Sequence, residues 1–315
     1  MLLPFAFILI SIILLYFGTS WLIKGSSSLA LKAGVSSLVA GLSFAAFGNS
    51  SPELAVSVNA ALSGHGNIAI GNVIGSNLFN ICMILGISAI VAPLKIRMQL
   101  LKIDIPALIL SATGFILVFV DRQISRSEGV ILLLCLVLYL LFKIILARRK
   151  QSAELHTEFG NSISNQKMKW YWAVGMLVLG IAILVVGSEL LVKGAVAIAR
   201  SLEVGETIIG LTVIAAATSM PLLFFSVVAT VRKKYDLAIG NVIGASIFNI
   251  LGTIGISAVI HPLSALAISN IDLFIMIGVT LLLLQFLRSK YILKRDDGIF
   301  MIVMYLIYLY YLWPK

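Results

Sequence analysis

Long apolar runs alternate with short polar breaks along almost the whole chain. A helix that crosses a bilayer needs about 20 mostly apolar residues. The pattern predicts ten such runs: 4–23, 36–62, 68–93, 104–120, 128–146, 170–192, 206–231, 237–262, 270–287 and 298–313. The first lacks the small-residue cleavage pattern of a secretory signal and counts as structure. One long polar stretch, Arg148–Lys169, separates two groups of five runs. The expected fold class is an all-α integral membrane protein, with domains 1–147 and 170–315 joined by a linker, 148–169.

Composition supports the pattern. Of 315 residues 60% are hydrophobic and 11% charged, against about 25% charged in a soluble domain. Soluble enzymes, nucleic-acid binders and disordered chains are excluded, although the net charge is +10. Lys and Arg mark the cytoplasmic side of a membrane protein. With the N-terminus outside, the inner loops hold 18 of the basic residues and the outer ones 5. Both termini are therefore expected outside a plasma membrane and the linker in the cytoplasm. Bilayer lipid is the expected partner, and one copy of the chain is expected to suffice. Cys82 and Cys135 lie in apolar runs and read as packing residues. No His neighbours an acid in a span and no nucleophile elbow is present, so neither an enzyme nor a cofactor is expected.

Shifted by 169 residues, from Gly71 to Gly240, the sequence aligns with itself. Residues 71–90 and 240–259 are identical at 12 of 20 positions. The same ungapped shift places Gly18, Lys24, Gly25, Gly41, Ser50, Pro52 and Ser57 over Gly187, Lys193, Gly194, Gly210, Ser219, Pro221 and Ser226. Each half has five spans, an odd number, so the second enters from the opposite side. Two inverted five-helix repeats are the mark of secondary transporters, which bind their cargo at the midplane between repeats.

Spans two and three carry Gly48-Asn49-Ser50-Ser51-Pro52-Glu53 and Gly71–Asn80, and their partners carry Ala217-Thr218-Ser219-Met220-Pro221-Leu222 and Gly240–Asn249. Proline frees a carbonyl one turn earlier and bends the helix. A hard cation satisfies such oxygens, and Ca2+ takes about 6–8 of them. Twelve of the 13 acids fall in loops or at span ends, Asp104 and Asp272 among them, whereas Glu53 falls in mid-span. A carboxylate there is expensive and points to function.

These segment pairs resemble the alpha repeats of the cation/calcium exchanger superfamily, in its sodium/calcium exchanger branch: G-T-S-x-P-E followed by G-N-x-x-G-S-x-x-x-N, twice. The resemblance implies Na+-driven Ca2+ transport by alternating access, with the first and sixth helices sliding as a gate. It implies cation contacts at Asn49, Ser50, Glu53, Ser76 and Asn80 in the first repeat, and at Thr218, Ser219 and Asn249 in the second. The second repeat departs from the pattern. Leu222 stands where the second motif Glu belongs, Ala245 where the serine does, and Asn249 where an acid is often found. Asn49 stands for the usual Thr. The expected function is Na+/Ca2+ antiport. The single carboxylate leaves open a monovalent cation (Na+ or Li+)/H+ exchanger, or a family member that no longer transports.

Overall fold

The computed structural model describes residues 2–33, 46–149, 169–201, 209–288 and 291–312. The linker expected at 148–169 and residues 36–45 of the second span lie almost wholly or wholly outside these. The described chain is nearly all helical, as a bilayer demands, because helices satisfy their own backbone groups. In order, the elements are α1 (Leu2–Ala33), α2 (Ala46–Asn49), α3 (Ser51–Leu62), α4 (Gly66–Val91), α5 (Leu100–Val118), α6 (Arg126–Arg149) and α7 (Trp170–Ser201). Next come α8 (a π-helical stretch, Ile209–Ile214, continued by Ala215–Thr218), α9 (Met220–Val231), α10 (Tyr235–Ile260), α11 (Asn270–Arg288) and α12 (Arg295–Leu312). The described parts of the ten predicted spans fall on these helices, apart from a residue or two at some ends. Among the described residues, α4, α5, α10, α11 and Trp170–Gly187 of α7 are each long and apolar enough to cross a membrane, and so are Leu211–Thr218 of α8 and α9 taken together as a pair bent by 49°.

The 169-residue offset reappears as near two-fold symmetry. The short strands β1 (Leu94–Lys95) and β2 (Gln123–Ile124) belong to the first repeat, β3 (Leu263–Ser264) and β4 (Ile292–Leu293) to the second. Each pairs antiparallel with the other repeat, Leu94 facing Leu293 and Ile124 facing Leu263. Left-handed backbone also recurs at the offset. Gly64 (φ 74°) matches Lys233 (φ 60°), and Arg122 (φ 63°) matches Tyr291 (φ 58°). At 64 and 233 the left-handed residue closes a helix, returning the next N–H to a carbonyl five residues back, His65 to Ala60 and Lys234 to Ala229, both at 2.8 Å. Glycine adopts that conformation freely, and Lys233 adopts it at a cost.

Two helices differ from expectation. α1 and α7 each run for 32 residues, about 48 Å at 1.5 Å per residue, well beyond a bilayer core of about 30 Å. Lys24, Lys32, Lys193 and Arg200 read as loop residues, yet they continue the helices. The pair packs antiparallel through glycines. A Cβ on Gly25 would lie 2.8 Å from the Ala173 carbonyl oxygen, and one on Gly194 2.8 Å from that of Pro4. Small residues allow such backbone approach. The pair rests on the remaining helices through Leu15, Leu22, Leu184, Ala217 and Phe225.

The repeats also exchange helices. Gly129 of α6 sits against Gly255 of α10, and the symmetric contact joins Gly298 of α12 to Gly86 of α4. Asp104 and Asp272 lie at helix ends as expected but are buried. The Asp104 carboxylate accepts from Lys143 Nζ at 2.6 Å and Tyr139 Oη at 2.9 Å. Asp272 accepts from Tyr308 Oη at 3.0 Å and from the Ser269 N–H at 3.0 Å. Cys82 is buried and Cys135 exposed, both unpaired.

Candidate cation site at the repeat crossing

Both proline motifs interrupt a helix at the preceding serine. Ser50 and Ser219 have matching backbone angles (φ −87°, ψ 3° and φ −83°, ψ −2°), and Pro52 and Pro221 open the helices that follow. The carbonyl freed by Pro52, that of Gly48, accepts from Ser51 Oγ at 2.6 Å. The second repeat has Met220 in place of Ser51 and supplies no such donor. In α4 and α10 the Asn80 and Asn249 positions fall in π-helical turns, Phe79–Ile84 and Asn249–Thr253. Such turns shift the register of side chains by a residue and occur often at functional sites.

The eight candidate residues are all fully buried. Ser219 Oγ donates to Glu53 Oε1 at 3.0 Å across the repeat boundary. Asn49 Nδ2 donates to Asn241 Oδ1 at 3.1 Å, and Thr218 Oγ1 lies 3.2 Å from Asn72 Oδ1. Ser76 Oγ reaches the Ala215 carbonyl at 3.4 Å. These contacts tie Asn49, Glu53, Thr218 and Ser219 into one crossing, with Ser76 beside it. Asn80 and Asn249 sit on π segments packed against α9 and α3 respectively, and no hydrogen bond links them to Glu53.

Buried polar atoms of both repeats lack protein partners: Glu53 Oε2, Asn49 Oδ1 and Ser50 Oγ on the interrupted helix, and Asn77 Oδ1, Ser246 Oγ and the carboxamide groups of Asn80 and Asn249 on α4 and α10. Buried polar groups are ordinarily paired. This set, drawn from both repeats, suits a hard cation. No Lys, Arg or His pairs with Glu53 among the described residues. A lone ionised carboxylate in low dielectric costs several kcal/mol, so a cation or a proton must neutralise it. Nor do three acids, histidines or cysteines converge anywhere among the described residues.

The departures from the motif have a visible consequence. Ser219 serves Glu53, but the equivalent Ser50 would serve residue 222. Leu222 is instead fully buried in the main apolar core, and the Ser50 hydroxyl has no protein partner. Sequence reasoning missed Asn72 and Asn241, the asparagines of the two Gly-Asn pairs. Their exact repetition at the offset was the available signal.

Interrupted helices from inverted repeats, crossing at a buried polar site, are the architecture of a secondary transporter. The family profile described as "Sodium/calcium exchanger protein" matches residues 3–145 and 172–313. The sodium/calcium exchanger MaX1 of Methanosarcina acetivorans is 30% identical over 97% of both chains. The inner membrane protein YrbG of Escherichia coli is 33% identical over 83% of this chain and 81% of its own. The solved structure of the sodium-calcium exchanger NCX_Mj, soaked with Na+ and Ca2+, superposes with a TM-score of 0.82 at 30% identity over 99% of each chain. The chain belongs to the sodium/calcium exchanger family, a family of multi-pass membrane transporters.

Proposed function

We propose that the protein is a secondary antiporter that exchanges Na+ for Ca2+ by alternating access. Glu53 is its one charged ligand. Asn49, Ser50, Ser76, Asn80, Thr218, Ser219 and Asn249 supply neutral oxygens. The observation that carries the reading is the Glu53 carboxylate, buried with one oxygen on Ser219 and the other unpartnered among oxygens of both repeats. The paired long helices α1 and α7 act as the sliding gate. A single copy of the chain suffices, in the plasma membrane, with both termini outside and 148–169 in the cytoplasm between the two repeat domains.

One observation favours a second reading. A single carboxylate balances one monovalent charge, and it can carry a proton in place of a cation. That chemistry fits a Na+ or Li+/H+ exchanger. Proteoliposomes separate the two. The first reading expects Ca2+ uptake driven by an outward Na+ gradient and lost in Glu53→Gln. Absent Ca2+ uptake with Glu53-dependent Na+/H+ exchange would overturn it in favour of the second. No flux of any cation would leave a family member that binds or regulates without transporting.

A further inference from the structure

We infer that Asn241 is a positioning residue that turns the Asn49 carboxamide so that its oxygen, and not its amino group, faces the cation. The inference rests on the cation-site reading above. Asn72 and Asn241 are equivalent by the offset, and both are fully buried. Each joins a serine of its own repeat to the interrupted helix of the other. Asn72 donates to Ser57 Oγ at 3.0 Å and to the Glu53 backbone carbonyl at 3.3 Å, and accepts from Thr218. Asn241 donates to Ser226 Oγ at 3.5 Å and accepts from Asn49.

The two clasps hold chemically different tips. Thr218 has one hydroxyl, and its proton also has the Ile214 carbonyl at 2.9 Å. With that proton returned to its own helix, the hydroxyl oxygen keeps its lone pairs for the site. Asn49 carries an amide with an acceptor end and a donor end, and a flip exchanges them. An amino group turned inward would repel a cation. The orientation of a buried amide follows from its hydrogen-bond network. Here Asn241 takes the amino group of Asn49, and Asn49 Oδ1 is the end left without a protein partner. Asn241 is held in turn by giving its own amino group to Ser226. The run of donors from Asn49 through Asn241 to Ser226 has the direction that leaves Asn49 Oδ1 without a protein partner.

The test uses the purified full chain, with equilibrium binding of radioactive Na+ and Ca2+ in detergent beside uptake in proteoliposomes. Asn241→Ala is expected to raise the half-saturating cation concentration about tenfold or more, with maximal uptake changed far less. Asn241→Leu, with the same branched frame, carries the same expectation without a cavity. Asn241→Asp keeps the acceptor for Asn49 and is expected not to raise it. In an Asn49→Thr background, which has no amino end to turn inward and whose hydroxyl proton can return to its own helix as that of Thr218 does, Asn241→Ala is expected to cause less than a twofold further change. Asn72→Ala removes more hydrogen bonds but leaves Thr218 its Ile214 partner, so it should weaken binding less than Asn241→Ala. A clasp that only braces the helices predicts the reverse order and equal effects in both Asn49 backgrounds. Either result overturns the inference. A wild type that binds ions without this background dependence sinks the clasp alone, whereas one that binds neither ion sinks the cation site itself.

Discussion

At the scale of single residues, position 222 decides the charge of the crossing. Leu222→Glu would give Ser50 Oγ an acceptor and the site a second carboxylate. The variant is expected to melt at a lower temperature than wild type without Ca2+, because a second buried charge is uncompensated. It should regain stability on adding Ca2+, and its half-saturating Ca2+ concentration should fall about tenfold or more. Melting curves at several Ca2+ concentrations read both effects. Lys143 carries a different expectation, since it is fully buried against Asp104. Lys143→Met leaves that carboxylate without a counter-charge, with Tyr139 as its remaining donor, and should cost about 3–5 kcal/mol in stability. Adding Asp104→Asn should recover much of the loss, as measured by denaturation in mild detergent. Glu53 was legible because an acid in mid-span is rare. The burial of Asp104 and Asp272 was not, because an acid at a span end looks the same in sequence whether it faces water or a tyrosine. Asn72 and Asn241 were missed because an asparagine beside glycine reads as part of a packing motif until its partners are seen.

At the scale of elements, ten spans were readable from hydropathy because each is a long apolar run. The extent of α1 and α7 was not. Lys24 and Lys32 end an apolar pattern, but neither ends the helix, because lysine is itself a good helix former. The π-helical turns at Asn80 and Asn249 were equally hidden, since one extra residue per turn leaves no trace in composition. The glycine seam between α1 and α7 has a testable role. Gly25→Val or Gly194→Val forces backbones apart where a Cβ already meets a carbonyl oxygen at 2.8 Å. Each is expected to cut uptake at least about tenfold and to lower stability by about 1–3 kcal/mol, the usual cost of overpacking. Uptake and melting temperature measured on the same preparation check both, and a variant with normal uptake would show that the seam is packing alone.

At the scale of the whole molecule, the constant offset foretold an inverted duplication. It did not foretell which helices trade partners, because two similar halves could pack within themselves as readily as across. The two ribbons fix the trade at opposite ends of the sequence register. In a chain with Cys82 and Cys135 replaced by Ala, Lys95→Cys with Ile292→Cys, and Gln123→Cys with Ser264→Cys, place thiols on facing residues. If α1 and α7 move over a static remainder, oxidising either pair should leave uptake within about twofold of the reduced protein. Uptake that stops on oxidation and returns with reductant would assign movement to the ribbons instead.

The exchange of α6 and α12 between repeats bears on how the protein is made. Gly129 leaves the ribosome 126 residues before Gly255, its packing partner, a wait of roughly 6–25 s at about 5–20 residues per second. During that interval α6 is inserted with its glycine face turned to lipid or to a chaperone. The matching face of α4 waits longer still, until α12 emerges. Biogenesis of the first half is thus completed only by the synthesis of the second, and truncation before α10 strands an inserted helix without its neighbour.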